Sequence, residues 1–125
     1  SGSPGLNTFL NDLKMKPKLP TYARGDSIGI AVCPTGVRLD EVEIDMLFYT
    51  TGNGVRLYAS TRGKGLPIVK GAERAVLNIP PSESIRLDAG IATLETTYII
   101  GDQARTLTDR ILILTDAKIA DYSHE

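Results

Sequence analysis

A chain of 125 residues with 14 Lys and Arg against 15 Asp and Glu carries almost no net charge. That argues against the basic surface a nucleic-acid partner needs and against electrostatic attachment to a membrane, and no apolar run approaches the roughly 20 residues that span a bilayer. A single cysteine, Cys33, excludes an intramolecular disulfide, and the length points to one domain that buries roughly two-thirds of its unfolded surface.

The chain opens Ser1-Gly2-Ser3-Pro4-Gly5 without an initiating Met. The expectation is a natural start that has been trimmed or replaced, so the compartment stays open. Residues 1–18 read as a segment apart from the main domain. Leu6, Phe9, Leu10 and Leu13 recur at helical spacing with Asn7 as a cap, which predicts a short amphipathic helix, with an extended first strand as the rival. Pro17 and Pro20 make 15–20 a stiff extended connector, because each pushes its predecessor out of the helical region.

The main domain is expected over 19–120. Arg24-Gly25-Asp26 leads into Ile28, Ile30 and Val32, which alternate with small residues as in a strand ending near Cys33; Pro34-Thr35-Gly36 is a turn. Residues 42–60 then organise the rest. Val42, Ile44, Met46 and Phe48 alternate with Glu43, Asp45, Leu47 and Tyr49, and the second arm alternates Val55, Leu57 and Ala59 with Arg56 and Tyr58. Asn53-Gly54 between them predicts a two-residue type I′ turn, since both residues accept positive φ. That register sets Phe48 against Ala59, Thr50 against Leu57 and Tyr49 against Tyr58.

Residues 61–65 read as a mobile basic loop, 66–70 as a short Pro-marked strand suited to a sheet edge, and 74–79 as another strand. Residues 80–87 form a connection with one helical turn, in which Ser82 to Ile85 is a weak cap. A long strand follows over 91–100, then a Gly101-Asp102 turn, then a short strand over 110–116 whose two faces are both apolar, as suits an inner position. The tail at 121–125 is polar and is expected to fray. Short strands with turns every ten or so residues predict an all-β fold: an immunoglobulin-like antiparallel β-sandwich of about seven strands, with a small closed barrel as the runner-up.

The residue inventory holds little chemistry. Nucleophilic catalysis needs a base, and the only His is His124, one residue from the end. Cys33 follows a strand with no cationic neighbour in sequence, which reads as a small apolar residue rather than a reactive thiol. Asp40, Glu41, Glu43 and Asp45 form an acidic cluster; without a Gly-containing ligand loop it reads as a solubilising outer face rather than a cation site. Arg24-Gly25-Asp26 matches the tripeptide of integrin ligands, but Gly before a strand is ordinary turn punctuation. Arg62 and Lys64 among glycines lack the helix that follows a phosphate loop. The expected contact surface is the outer face of the 42–60 hairpin, where Leu47, Tyr49, Arg56 and Tyr58 gather beside Glu43 and Asp45. The competing expectation is that the N-terminal segment, with Phe9 and Leu13, covers it.

The order of these signals resembles a known family. A strand opened by Gly25-Asp26, an apolar-alternating hairpin, a strand ending Ile79-Pro80-Pro81-Ser82, a Leu87-to-Gly90 turn, a long strand and a short final one follow one another. Over roughly 19–120 this is similar to the immunoglobulin-like domains of phage and prophage tail and baseplate proteins, in particular the N-terminal domain of the baseplate upper protein. The turn Gly101-Asp102-Gln103 and Ile91, which stands where that family places an aromatic, depart from its pattern. The resemblance implies a non-catalytic assembly module of a virion, with other tail subunits or a second copy as partners, and no cofactor, metal, nucleic acid or membrane. A bacterial cell-surface adhesin or carbohydrate-binding module is the alternative, although such sites favour aromatic platforms and this chain has no Trp and five Tyr; a hydrolase is the least favoured class.

Overall fold

The computed structural model describes residues 19–116. The helical pattern at 6–13 and the tail at 121–125 lie outside them. Of the described residues 55% are strand and 7% helix, so the all-β class follows from the period-two alternation. In chain order the elements are β1 (Thr21–Ala23), β2 (Ile28–Val32), a 3-10 turn (Leu39–Glu41), β3 (Glu43–Tyr49), β4 (Arg56–Ser60), β5 (Leu66–Lys70), β6 (Ala75–Ile79), a single-turn helix α1 (Pro81–Ser84), β7 (Gly90–Ile100) and β8 (Gln103–Thr115).

These eight strands form one sheet, ordered β1-β8-β7-β3-β4-β5-β6-β2 and nearly closed into a barrel. Neighbours run antiparallel except for β1 with β8 and β4 with β5. The β4–β5 step joins only Ala59 to Leu66 and Ser60 to Pro67. Strands β2 to β8 all contribute buried side chains to one common core. Every second residue points inward: Ile44, Met46 and Phe48 from β3, Leu77 and Ile79 from β6, Ile28 from β2, Leu94 from β7 and Leu112 from β8 are all buried. Each such side chain contributes about 1.5–3 kcal/mol by leaving water. Leu39 and Leu87, each 0% exposed, come from connections rather than strands and add to the same core.

The organising hairpin is present, but its turn differs from expectation. Phe48 lies opposite Leu57, Met46 opposite Ala59, and Tyr49 opposite Arg56, a register two residues away from the predicted one. A shift of two keeps each side chain on its face, which is why the buried set was still read correctly. The connection is 50–55 rather than Asn53-Gly54 alone. Gly54 has φ +75°, yet among the described residues no non-glycine has a positive φ, so Asn53 is not in a type I′ turn. Its side chain has other bonds: Nδ2 donates to the Arg86 carbonyl at 2.8 Å, and Oδ1 accepts from Val55 N–H at 3.1 Å. Gly52 packs so close that a Cβ there would lie 2.2 Å from Asp88 Oδ2. Tertiary contact with 86–88 draws the loop out.

Three further expectations are corrected. Residues 66–70 are not at an edge, because β5 lies between β4 and β6. The last strand is not short: β8 begins at Gln103 and pairs with β7 down to Ile100↔Gln103. Residues 103–109 are exposed on both faces, so they carry no burial period, and only the ladder to β7 makes them a strand. Ile111 is the extra residue of a bulge opposite Ala92 and Thr93, which switches the face that β8 turns inward. Within α1 the expected cap at Ser82 is absent, since the helix starts after Pro80 with no side-chain cap.

Candidate functional site

The four residues singled out on the hairpin do come together. Leu47 lies opposite Tyr58 and Tyr49 opposite Arg56 on the outer face of β3 and β4. The Arg56 guanidinium sits 4.2 Å above the centre of the Tyr49 ring, a cation–π arrangement. A third strand completes the group: β7 sets Glu95 opposite Leu47, and Tyr49 Oη donates to Glu95 Oε2 at 2.6 Å. That bond, and after it burial, raises the Tyr49 pKa, since the neighbouring carboxylate opposes ionisation. Glu95 was missed because nothing local in sequence reports that β7 lies beside β3.

The rest of this face is also engaged by its own chain. Ser60 Oγ donates to Asp45 Oδ1 at 2.7 Å, Arg62 pairs with Asp45 Oδ2, and Thr61 Oγ1 donates to Glu43 Oε2 at 3.0 Å. The Asp45 hydrogen bond raises the Arg62 pKa. Arg38 pairs with Asp40. The acidic cluster thus has cationic and hydroxyl partners at three of its four carboxylates, and among the described residues no group of three or more His, Cys, Asp or Glu gathers as metal ligands do. The glycine-flanked loop at 61–65 folds back onto β4. Gly65, at φ +68°, lies where a Cβ would meet the Tyr58 carbonyl oxygen at 2.3 Å, so part of Tyr58 is covered from this side.

Arg24-Gly25-Asp26 is fastened inward. Arg24 donates to the carbonyls of Leu87 and Ile85, and Asp26 Oδ2 accepts from Ala23 N–H at 3.0 Å. Between them Ser84, 0% exposed, accepts from Gly25 N–H at 3.0 Å and donates to the Asp26 carbonyl at 2.8 Å. Both charged side chains that an adhesive tripeptide would offer are used within the chain: Arg24 ties the turn to the connection after α1, and Asp26 closes its own turn at Ala23.

A different region is less satisfied. Where the sheet fails to close, β2 and the turn after it face β8 across a seam floored by Leu94, Thr96 and Tyr98. The seam runs on into a cleft lined by Pro34, Val37, Tyr98, Ile100 and Leu107. Ile100 is 52% and Leu107 41% exposed, a run of apolar surface that no described element covers. Desolvation in this wall, with Asp109 nearby, raises the Tyr98 pKa. Residues 101–110 are exposed throughout. Exposed Cys33 lines the seam. The arrangement provides backbone edge and apolar surface, which suit docking rather than bond-making. The one sequence signal here was Thr106-Leu107-Thr108, β-favouring residues in a polar stretch.

Compared with known proteins, the chain matches no family model and no curated sequence.

Proposed function

We propose that this chain is a non-catalytic structural module that makes protein–protein contacts in a larger assembly, the setting implied by the resemblance being a phage or prophage tail or baseplate. The observation that carries the reading is the β7–β8 ribbon, whose strand edge is open among the described residues, and the apolar cleft beside it. Soluble domains blunt or cover long sheet edges, because unpaired N–H and C=O groups recruit other strands. An uncovered edge flanked by exposed Leu107 and Ile100 therefore fits a surface completed by a partner. The shared core of β8-β7-β3-β4 and β5-β6-β2 supports describing the fold more finely as an immunoglobulin-like sandwich whose two layers are joined at β4–β5. In the adhesin or carbohydrate-binding alternative Tyr49 would serve as a stacking platform, and its face is already taken by Arg56.

The test is direct binding, by interferometry, between this chain and the purified products of the genes that flank its own, with a glycan array in parallel. Binding to a tail or baseplate subunit that is lost in Leu107→Asp or in Tyr58→Glu supports the reading and tells the seam from the hairpin face. No binding to any flanking product, with a specific sugar on the array, overturns it in favour of the alternative.

A further inference from the structure

We propose that β8 is a self-recognition edge: it pairs antiparallel with β8 of a second copy of this chain, about a two-fold axis at Leu107. The inference rests on the assembly reading above and names a partner for it. β8 is joined to β7 along its length. On its other side β1 covers only Ile113, Leu114 and Thr115, so among the described residues 103–112 has no strand neighbour there. Up to the bulge at Ile111 the regular part of that edge is 103–111, and Leu107 is its midpoint. Two identical antiparallel strands use all of it only in the register that sets Leu107 against Leu107.

The backbone is in phase with that register. Thr61 N–H donates to the Ile44 carbonyl, so even-numbered residues of β3 bond β4 and its odd-numbered residues bond β7. By alternation, the odd-numbered residues of β7 turn to β3 and its even-numbered ones to β8. Their partners on β8 are Arg105, Leu107 and Asp109. Ala104, Thr106, Thr108 and Arg110 therefore turn their peptide groups to the open edge. The Thr97 and Thr106 hydroxyls, 2.7 Å apart, agree, because side chains approach most closely across pairs that share no backbone bond. In the Leu107 register Thr106 meets Thr108 of the second copy, and Ala104 meets its Arg110, with peptide groups facing each other.

Charge is favourable in the same register. Arg105 falls opposite Asp109 of the second copy, and symmetry repeats the pair. Among the described residues neither side chain is in an ion pair. Registers centred on Arg105 or on Asp109 would set like charges against each other, which destabilises a strand pair. The two-fold contact closes on itself, so it stops at two copies. It also brings a second Leu107 beside the exposed one at the cleft.

Sedimentation velocity and light scattering over a dilution series test this. The wild-type chain is expected at twice its monomer mass when concentrated, dissociating on dilution and in high salt, since exposed ion pairs are screened. Asp109→Arg and Arg105→Asp should each be monomeric, with a thermal melt unchanged at dilutions where the wild type is itself monomeric. Mixed in equal amounts, the two variants should recover the doubled mass as a heterodimer, because each supplies the charge the other lacks. A wild type that stays monomeric at every concentration, a dimer that survives Asp109→Arg, or a mixture that stays monomeric overturns the proposal. A monomer that still binds a flanking gene product removes self-pairing and leaves the assembly reading standing; a dimer that binds none does the reverse.

Discussion

The two ends of the sheet use the same kinds of residue in opposite ways. At one end α1, the 24–26 turn and the 50–55 loop converge, and their polar groups are used inside the chain: Arg24 on the Leu87 and Ile85 carbonyls, Asn53 on that of Arg86, Ser84 between Gly25 and Asp26. At the other, Arg105, Asp109 and Arg110 stand exposed on a ribbon that, among the described residues, is paired there on one side only. A motif that looks functional can thus be structural, as Arg24-Gly25-Asp26 is, while a stretch with no motif can hold the surface open to a partner. What separates them is whether folding has already supplied each polar group with a partner.

The largest contrast should come from volume deleted at the closed end. Phe48 is 0% exposed, and Phe48→Ala should cost about 3–5 kcal/mol of unfolding free energy in urea. A loss under about 1 kcal/mol would mean that the core is not packed as described. Ser84→Ala comes next. It removes the acceptor for Gly25 N–H and a donor to Asp26 inside a buried site, so about 1–3 kcal/mol should be lost in the same assay. An unchanged midpoint would show that the 24–26 turn is not held through α1.

A smaller, pH-dependent effect distinguishes the ends by cause. Tyr49 is raised by its bond to Glu95 and Tyr98 by desolvation in the seam wall. Both should ionise above the ordinary tyrosine value of about 10, as followed by ultraviolet titration of Tyr49→Phe and Tyr98→Phe against wild type. A group raised in the folded state contributes stability that is fully present below its unfolded value and is lost as pH rises through the folded one. Unfolding free energy should therefore fall above roughly pH 10, and less so in either variant. The smallest effect belongs to the open end. Leu107→Thr should move monomer stability by no more than about 0.5 kcal/mol, because the side chain meets water on one side. A loss of several kcal/mol would place Leu107 in a closed core and remove the contrast between the ends.

Much of the fold could be read from residue order. The alternation in 42–49, 55–59, 75–79 and 91–100 identified which side chains turn inward, since burial of one sheet face imposes a period of two whatever the neighbours are. Leu47, Tyr49, Arg56 and Tyr58 were grouped correctly on one face by the same rule. The same rule is silent where both faces are wet, and the first half of β8 was therefore left out of the final strand, which was expected to begin at 110. It also says nothing of strand order, so Glu95 beside Tyr49 could not be anticipated.

Local chemistry decided that this chain would build paired strands around one apolar interior, because alternation and turn residues act within a few positions of each other. Long-range contact decided the rest. It settled where each turn ends, as the pull of Arg86 and Asp88 on 52–53 shows, and which strand lies beside which. Those outcomes depend on groups tens of residues apart meeting in space, and no short window of sequence contains both partners.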